Sequence, residues 1–583
     1  MPRPETDTER HRLRAATAGL VAATAGLAAA ELTTGLTRTW RSPVEVVAEV
    51  VIDKAPPSVT RFGIEVFGKN DKLALVVGIL AVLAVVGLIV GLVAARRPVA
   101  GPVAFGAFAL VGAGAALQVA GAPLTAVVPA LVAGLVGTVT LRALLGQPLR
   151  PRREVASVTD EPSGTDRPAD ARPSIPSPPA PAPTPASSPP GLPAGATLLG
   201  DGEKPVSPGG PAPDPALGAR IAGAGSGLDR RRFLLLTGGL VAIAGVAAAG
   251  GRALRERFSA ATSRRDLVLP AADDPLPPLA DRYGVDVEGM TPFRTSNADF
   301  YRIDTALTVP QVPVEGWTLD VKGMVDRDLT LSFDELCAFG LVEADVTMTC
   351  VSNRVGGDLV GNARWLGVPV QRLLDEAGFD PAADQLVGRS VDGYTCGFPV
   401  SAAGDGRTCL VAVGMNGEPL PLEHGFPARL VTAGLYGYVS ATKWLTEIEL
   451  TTFDDFEAYW VPRGYAAQAP IKTQCRIDVP RTGTPVPAGP QYIAGVAWAQ
   501  TRGIAKVEVR VDDGPWQEAE LAPALDDETW RQWRLPWDPA AGTARLACRA
   551  TDGTGELMPE ARSEPLPDGA TGWQSKVVVV QAA

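Results

Sequence analysis

At 583 residues the chain is long enough for several domains, each with its own core. Its formal net charge of −11 argues against a nucleic-acid binder, which needs a basic face to neutralise phosphates, so no nucleic-acid partner is expected. Apolar residues make up 46% of the chain but are unevenly spread, and that unevenness points to a membrane protein.

Ala15 to Ala30 is a short apolar stretch that ends at Glu31. Leu73 to Ala95 runs 23 residues without a charge, and Pro98 to Leu141 is uncharged throughout. A helix needs about 20 apolar residues to cross the hydrocarbon core. The first long run therefore predicts one span and the second two, broken near Gly121 to Leu124. With Ala15 to Ala30 added, residues 1–150 read as a membrane region of about four transmembrane helices. Buried helices of a soluble core are the competing reading, weaker for Leu73 to Ala95 than for Ala15 to Ala30.

Residues 151–229 are dense in Pro, Ala, Ser and Gly. Such a segment buries too little apolar surface to offset its ordering entropy and reads as a disordered linker. After it comes "LDRRRFLLLTGGLVAIAGVAAAGG", three arginines ahead of a moderately apolar run. Residues 230–251 thus resemble a twin-arginine signal that is also a transmembrane helix; a plain anchor is the alternative. Positive charge orients the spans. Arg10, Arg12 and Arg14, then Arg96 and Arg97, then Arg150, Arg152 and Arg153, and last Arg230 to Arg232 share one side if five helices span. That side is the cytoplasm, which leaves residues beyond about 252 on the extracytoplasmic face of the cell membrane.

Residues 265–460 mix short apolar runs with helix-like pieces. "LSFDELCAFG" opens on a cap signal, and "PVQRLLDEAGF" is amphipathic. From 466 to 583 strands alternate with turns, as in "KVEVRVDDGPW", "ARLACRATDGTG" and "SKVVVVQ", a pattern that predicts an all-β sandwich.

The six cysteines, Cys337, Cys350, Cys396, Cys409, Cys475 and Cys548, include no CxxC pair, so structural zinc is not expected. Of the two histidines, His11 precedes the first predicted span and His424 lies far downstream. With no histidine in a predicted span and no CxxCH, no haem is expected. Cys350 stands apart, set in "VTMTCVSNRVGGDLVGNARWLGVPV". A core thiol and half of a disulfide are open readings. The polar, glycine-rich surroundings and nearby Arg354 favour a partly accessible thiolate, which suits a soft or high-valent metal. Without paired cysteines or histidines, the other ligands would arrive with a cofactor.

"TMTCVSNRVGGDLVGNARWLGVPV", "DFYRIDTAL", "HGFPARLVTAGLYGYVSATKWL" and "YWVPRGYAAQAPIKTQCRIDVP" resemble, in that order, the sulfite oxidase family of molybdenum enzymes. The resemblance covers residues from about 285 to the end. It implies a multi-domain architecture: an α-helical membrane region, an α+β molybdopterin-binding catalytic domain at 265–460, and an immunoglobulin-like dimerisation domain at 466–583, which would pair two chains. It also implies a molybdenum–molybdopterin cofactor with Cys350 as the protein's metal ligand, the adjacent glycines letting backbone approach the cofactor. His424, Arg429, Ser440 and Lys443 match pterin-binding positions, with Asn297 and Tyr301 as weaker ones; the "SATK" segment is one residue longer than in the family. Arg302, Arg463 and Arg354 would receive a small anionic substrate, and Tyr465 matches the family's active-site tyrosine. Val355 stands where sulfite oxidases often carry a second arginine and Asp304 where they carry a histidine, which makes the anion pocket less basic. The implied reaction is oxygen-atom transfer, oxidation of sulfite or a related anion, with electrons passing to a separate carrier. Sulfoxide reduction fed by a membrane donor is the alternative, and a non-enzymatic scaffold the third reading.

Overall fold

The computed structural model describes residues 7–56, 59, 62–63, 66–67, 71–119, 122–147 and 230–582. The linker expected at 151–229, and Arg150, Arg152 and Arg153, lie outside the described residues.

Among the described residues six helices form the first part: α1 (Asp7–Thr34), α2 (Pro43–Lys54), α3 (Asp71–Ala94), α4 (Ala100–Ala116), α5 (Val128–Leu144) and α6 (Arg230–Glu256). Four helical stretches among the described residues are long and apolar enough to cross a membrane: Thr8–Thr34, Asp71–Ala94, Leu124–Leu144 and Arg231–Asp266. α4, at 17 residues, is short for a crossing. The first apolar stretch sits inside a 28-residue helix, so His11 belongs to it rather than preceding it, exposed near its start. α2 has no counterpart among the predicted spans. It is announced by a capping box, in which Ser42 and Glu45 satisfy each other's backbone N–H groups.

Close packing explains the glycines of the bundle. A side chain at Gly19 or Gly91 would run into the backbone of Gly87 or Ala15 respectively, so α1 and α3 meet almost backbone to backbone. At one end of the bundle Arg255 of α6 pairs with Glu31 and Glu45, both at 3.1 Å. At the other end Ala94, Leu141, Leu144 and Phe233 share one apolar cluster, and Gln147 donates to the Ala94 carbonyl at 2.8 Å. Arg96, Arg97, Arg231 and Arg232 adjoin this second end.

The following segment is built on two sheets. Its strands are β1 (Thr318–Gly323), β2 (Leu329–Ser332), β3 (Val342–Thr349), β4 (Val360–Pro369), β5 (Gln385–Ser390), β6 (Thr395–Pro399), β7 (Cys409–Met415), β8 (Glu418–Pro419), β9 (Arg429–Thr432) and β10 (Leu445–Thr451). They pair in the orders β2-β1-β10-β5-β6 and β3-β4-β7-β8, with β9 against β7. β3 is buried at every position from Asp345 to Thr349, so it runs into the core and delivers Cys350 there. The cap signal in "LSFDELC" is realised: the Glu335 N–H donates to Ser332 Oγ at 3.4 Å and the Ser332 N–H to Glu335 Oε2 at 2.8 Å. "VQRLLDEA" buries Val370, Leu373, Leu374 and Ala377, a single helical stripe, and stops at Gly378 with φ 67°.

Nine further strands follow: β11 (Gln474–Val479), β12 (Val486–Pro487), β13 (Gln491–Trp498), β14 (Ile504–Val511), β15 (Gln517–Glu518), β16 (Glu520–Leu521), β17 (Arg531–Trp537), β18 (Gly542–Asp552) and β19 (Gln574–Gln581). They form sheets β11-β13-β17-β16 and β12-β19-β18-β14-β15 around a core that includes Ile493, Val507, Trp533 and Leu546. In β19 Val578 and Val580 are buried while Val577 and Val579 are exposed, the alternation expected of a half-buried strand. Trp498 and Trp530, however, belong to the core of the preceding sheets. Trp530 Nε1 donates to the Phe293 carbonyl at 2.8 Å, and Gln500 donates to the Thr347 carbonyl at 2.8 Å, so the two parts share one packed seam.

Candidate active site

Cys350 follows the buried end of β3 and is itself 7% exposed. Its N–H donates to the Leu359 carbonyl at 2.9 Å and its carbonyl accepts from Asn353 at 3.0 Å, which closes the loop on itself. Burial pushes the thiol up from its ordinary value, while hydrogen bonding at Ser352 and the Lys443 charge pull the other way. The cation acting on the thiol is therefore Lys443. Arg354 leans outward, two-thirds exposed, with Glu564 at 3.8 Å. The loop glycines also face elsewhere: Gly356, at φ 77°, abuts Gln574, and Gly357 abuts Asn353.

Lys443 stands just before β10 with its side chain 8% exposed, donating to Asp304 Oδ2 at 2.8 Å and the Glu423 carbonyl at 3.0 Å. Burial lowers its pKa to about 8 against the pull of Asp304. Asp304 is the hub of this corner. Its buried carboxylate pairs with Lys443, with Arg302 Nε at 2.9 Å and with Lys72 of α3 at 2.9 Å. Burial alone would raise its pKa, but Lys443 and Lys72 outweigh burial and hold the carboxyl well below the usual carboxylate range. Lys72 thus offsets the negative charge that Asp304 brings to this corner.

Asp304→Asn strands these cations and should destabilise the chain by about 3–5 kcal/mol, the usual effect of breaking a buried ion pair. The native carboxyl is depressed, so its contribution is complete above its ordinary value of 3.8 and is lost as pH falls below that. Thermal melts should show the variant far less stable near neutral pH, with the gap closing in acid. A gap independent of pH would contradict this.

His424 is 3% exposed, in the turn between β8 and β9, with Nε2 3.0 Å from the Asn297 carbonyl and its ring edge-on to Phe300 at 5.6 Å. Burial and the neighbouring Arg429 charge lower its pKa to about 4, so it is neutral near pH 7. With Nε2–H donating to that carbonyl, Nδ1 is left as an acceptor. Arg429 opens β9, 5% exposed, donating to the His424 carbonyl at 3.1 Å and lying over Trp365 at 5.1 Å. Burial lowers its pKa to about 10, and none of the ion pairs among the described residues includes it. Tyr301 stacks on Phe300 at 5.1 Å, and burial with the adjacent Cys350 pushes its hydroxyl up, so it stays a protonated phenol.

Tyr301, Asp304, Cys350, His424, Arg429 and Lys443 line one cavity of about 100 Å³. It adjoins a larger one of about 1530 Å³, whose wall includes Cys350, Arg302, Arg354 and Tyr465. Tyr465 sits 5.3 Å from the rings of both Trp460 and Tyr438. Three expected residues point elsewhere. The Asn297 amide donates to the Met415 carbonyl and to Glu418, so it is the Asn297 backbone that serves the site, by holding His424. Ser440 Oγ donates to the Leu435 and Tyr436 carbonyls of its own turn. Arg463 lies over the Tyr459 ring at 3.7 Å and faces Asp53 of α2 at 3.6 Å. The sequence reading passed over Lys72 and Asp53, because charges flanking an apolar helix look like ordinary membrane-edge residues.

The donor set fits an anionic pterin cofactor. A buried guanidinium without a carboxylate partner is costly unless an anion meets it. One buried thiol at this cavity, with no metal-holding cluster of His, Cys, Asp or Glu among the described residues, fits a metal that brings its other ligands.

Residues 306–460 match the family described as oxidoreductase molybdopterin binding domain. The chain is similar to mitochondrial sulfite oxidase of Rattus norvegicus, 29% identical over 306 residues that cover 44% of this chain and 55% of that protein. It is similar to the uncharacterized oxidoreductase YuiH of Bacillus subtilis (strain 168), 35% identical over 149 residues that cover 26% of this chain and 72% of YuiH. Among solved structures it is similar to the sulfane dehydrogenase SoxCD from Paracoccus pantotrophus, at 22% identity and TM-score 0.44, covering 51% of this chain and 85% of that one. The chain spans about half the length of the sulfite oxidases it matches. The matched segment is the one that carries Cys350, and the chain belongs to the sulfite oxidase family of molybdopterin-dependent oxidoreductases.

Proposed function

We propose that this protein is a membrane-anchored, extracytoplasmic molybdenum oxidoreductase that oxidises sulfite or a related small anion by oxygen-atom transfer. The observation that carries this is the meeting of buried Cys350 with two buried cations, Arg429 and Lys443, at one cavity. When bound there, molybdenum–molybdopterin supplies two-electron redox chemistry and an exchangeable oxygen. Cys350 would ligate the metal; Arg429, Lys443, His424 and Tyr301 would hold the pterin. Asn297 would act through its carbonyl and Ser440 by bracing its turn. Arg302, side chain 43% exposed at the mouth, would receive the anion. Arg354 and Arg463 would contribute positive potential, and Tyr465 would donate a hydrogen bond to substrate.

The test is an assay of the full chain with sulfite and ferricyanide, beside one with methionine sulfoxide and a reduced dye. Sulfite oxidation is the expected activity; turnover of the sulfoxide alone would overturn that direction. Sulfoxide reduction is the second reading, favoured by the docking of the helical bundle at the site's mouth through Lys72 and Asp53. Tyr465→Phe should lower kcat/KM by about 10- to 1000-fold, as expected when one strong transition-state hydrogen bond is lost, with molybdenum content unchanged. An unaltered kcat/KM would remove Tyr465 from substrate contact.

The spans, the 151–229 linker and the division at about 265–460 and 466–583 complete this reading, with the last segment as an immunoglobulin-like dimerisation domain. Supporting the orientation, Arg96, Arg97, Arg231 and Arg232 adjoin the bundle end away from Arg255. We read Arg230 to Arg232 as a twin-arginine signal, since a domain loaded with a cytoplasmically made cofactor has to cross folded. Lysines at these three positions should leave the 252–583 portion inside the cell, as read by protease accessibility. Normal display outside would leave a plain anchor.

A further inference from the structure

The larger cavity has two unlike ends. One reaches Cys350, Arg302 and Tyr465; the other is walled by apolar side chains of the helical bundle, among them Val51 of α2, Ile79 and Val82 of α3 and Phe108 of α4. The bundle is fastened to the rim at two points. Lys72 donates to the Asp304 carboxylate at 2.9 Å and to the Asp304 and Ala306 carbonyls. Asp53 accepts from the Tyr459 hydroxyl at 2.9 Å and faces Arg463 at 3.6 Å. The buried thiol therefore looks out onto helices with apolar surfaces as well as toward solvent. At about 1530 Å³ the space exceeds the usual range for a small ligand, about 300–1,000 Å³, and has room for a ring with a hydrocarbon tail.

We propose that this cavity binds a membrane-dissolved quinone, the two-electron acceptor for the reaction. The inference rests on the proposed sulfite chemistry. Oxidising sulfite with water forms one sulfur–oxygen bond and releases two electrons and two protons. A quinone takes up both electrons and both protons, its two carbonyls becoming hydroxyls, so sulfite, water and quinone give sulfate and quinol with nothing left over. The chemistry of the walls suits that ligand: an apolar flank for the tail, and at the polar end the Arg302 guanidinium, whose Nε is engaged by Asp304 while no hydrogen bond among the described residues takes its other N–H groups.

The probe is decylubiquinone, titrated against the full chain in detergent and read by equilibrium dialysis, with sulfite-to-quinone and sulfite-to-ferricyanide rates measured in parallel. Val82→Phe and Val51→Phe add bulk at positions 62% and 44% exposed, so folding is not at risk and neither touches the cofactor site. The expected result is saturable binding to the native chain, weakened at least about tenfold in the double variant. Sulfite-to-quinone turnover should fall in step while ferricyanide reduction stays unchanged. Binding that is absent, or equal in native and variant chains as for general partition into detergent, overturns the proposal. Saturable, variant-sensitive binding without any sulfite oxidation supports the quinone site and overturns the sulfite reading instead.

Discussion

Cys350→Ser should abolish turnover while leaving the pterin in place. Replacing a group outside the ligand sphere already costs about 10- to 100-fold in metal affinity or activity, and loss of the ligand itself should exceed that. A serine hydroxyl is nearly isosteric with the thiol, and the loop is held by backbone bonds, from Cys350 N–H to Leu359 and from Asn353 N–H to Cys350, so the fold should persist. The pterin would remain held by Arg429, Lys443 and His424. Metal content, extracted pterin and steady-state kinetics on the same preparation make the measurement. Full activity in the variant would mean that the thiolate does not ligate the metal, and with it the proposed site would fall.

Arg429→Met should do the reverse, emptying the site without unfolding the chain. The guanidinium is 5% exposed, and burial has pulled its pKa down to about 10, a sign that the apoprotein carries an inadequately compensated charge. Replacing such a charge by an apolar side chain of similar length removes the cost of keeping it out of water. Methionine keeps the packing over Trp365. Charge-assisted hydrogen bonds contribute about 1.5–3 kcal/mol each, so losing one or two to an anionic cofactor should weaken its retention by about 10- to 1000-fold. The variant should be isolated with little pterin and as an apoprotein melt no lower than the native apoprotein. A normal pterin content would show that the anion is held elsewhere; a lower melting temperature would show that Arg429 is chiefly structural.

Both predictions turn on residues whose chemistry was readable in the linear chain, and the division between readable and unreadable features has a physical basis. Apolar runs, the Ser332–Glu335 cap, the stripe in "VQRLLDEA" and the alternation in "SKVVVVQ" are set by neighbours within a few residues, so periodicity reports them. The break near Gly121 separates α4 from α5 for the same reason. Cys350 and His424 are visible because each is a rare residue type in a local setting that a strand end or tight turn imposes, and Arg429 and Lys443 because they sit in motifs that resemble the family's.

Side-chain direction and long-range docking were decided only by tertiary structure. Arg354 lies four residues from Cys350 in sequence yet turns outward beside Glu564, while Lys443, 93 residues on, supplies the charge at the thiol. Ser440 and Asn297 spend their polar side chains on nearby partners: the buried Ser440 hydroxyl cannot be left unsatisfied, and the half-buried Asn297 amide finds its acceptors close by. Trp498 and Trp530 cross from the last sheets into the catalytic core, since sheets that pack against one another share apolar surface regardless of where a domain boundary falls in sequence. Lys72 reaches Asp304 across 232 residues, and Asp53 reaches Tyr459 across 406. No local pattern encodes such contacts: a charge at the end of an apolar helix is the same residue whether it meets water or a carboxylate. Composition and periodicity determined which segments are helical, apolar or alternating, and resemblance to the sulfite oxidase family marked which residues could hold an anionic metal cofactor; packing alone decided that the mouth of that site is shared with the helical bundle.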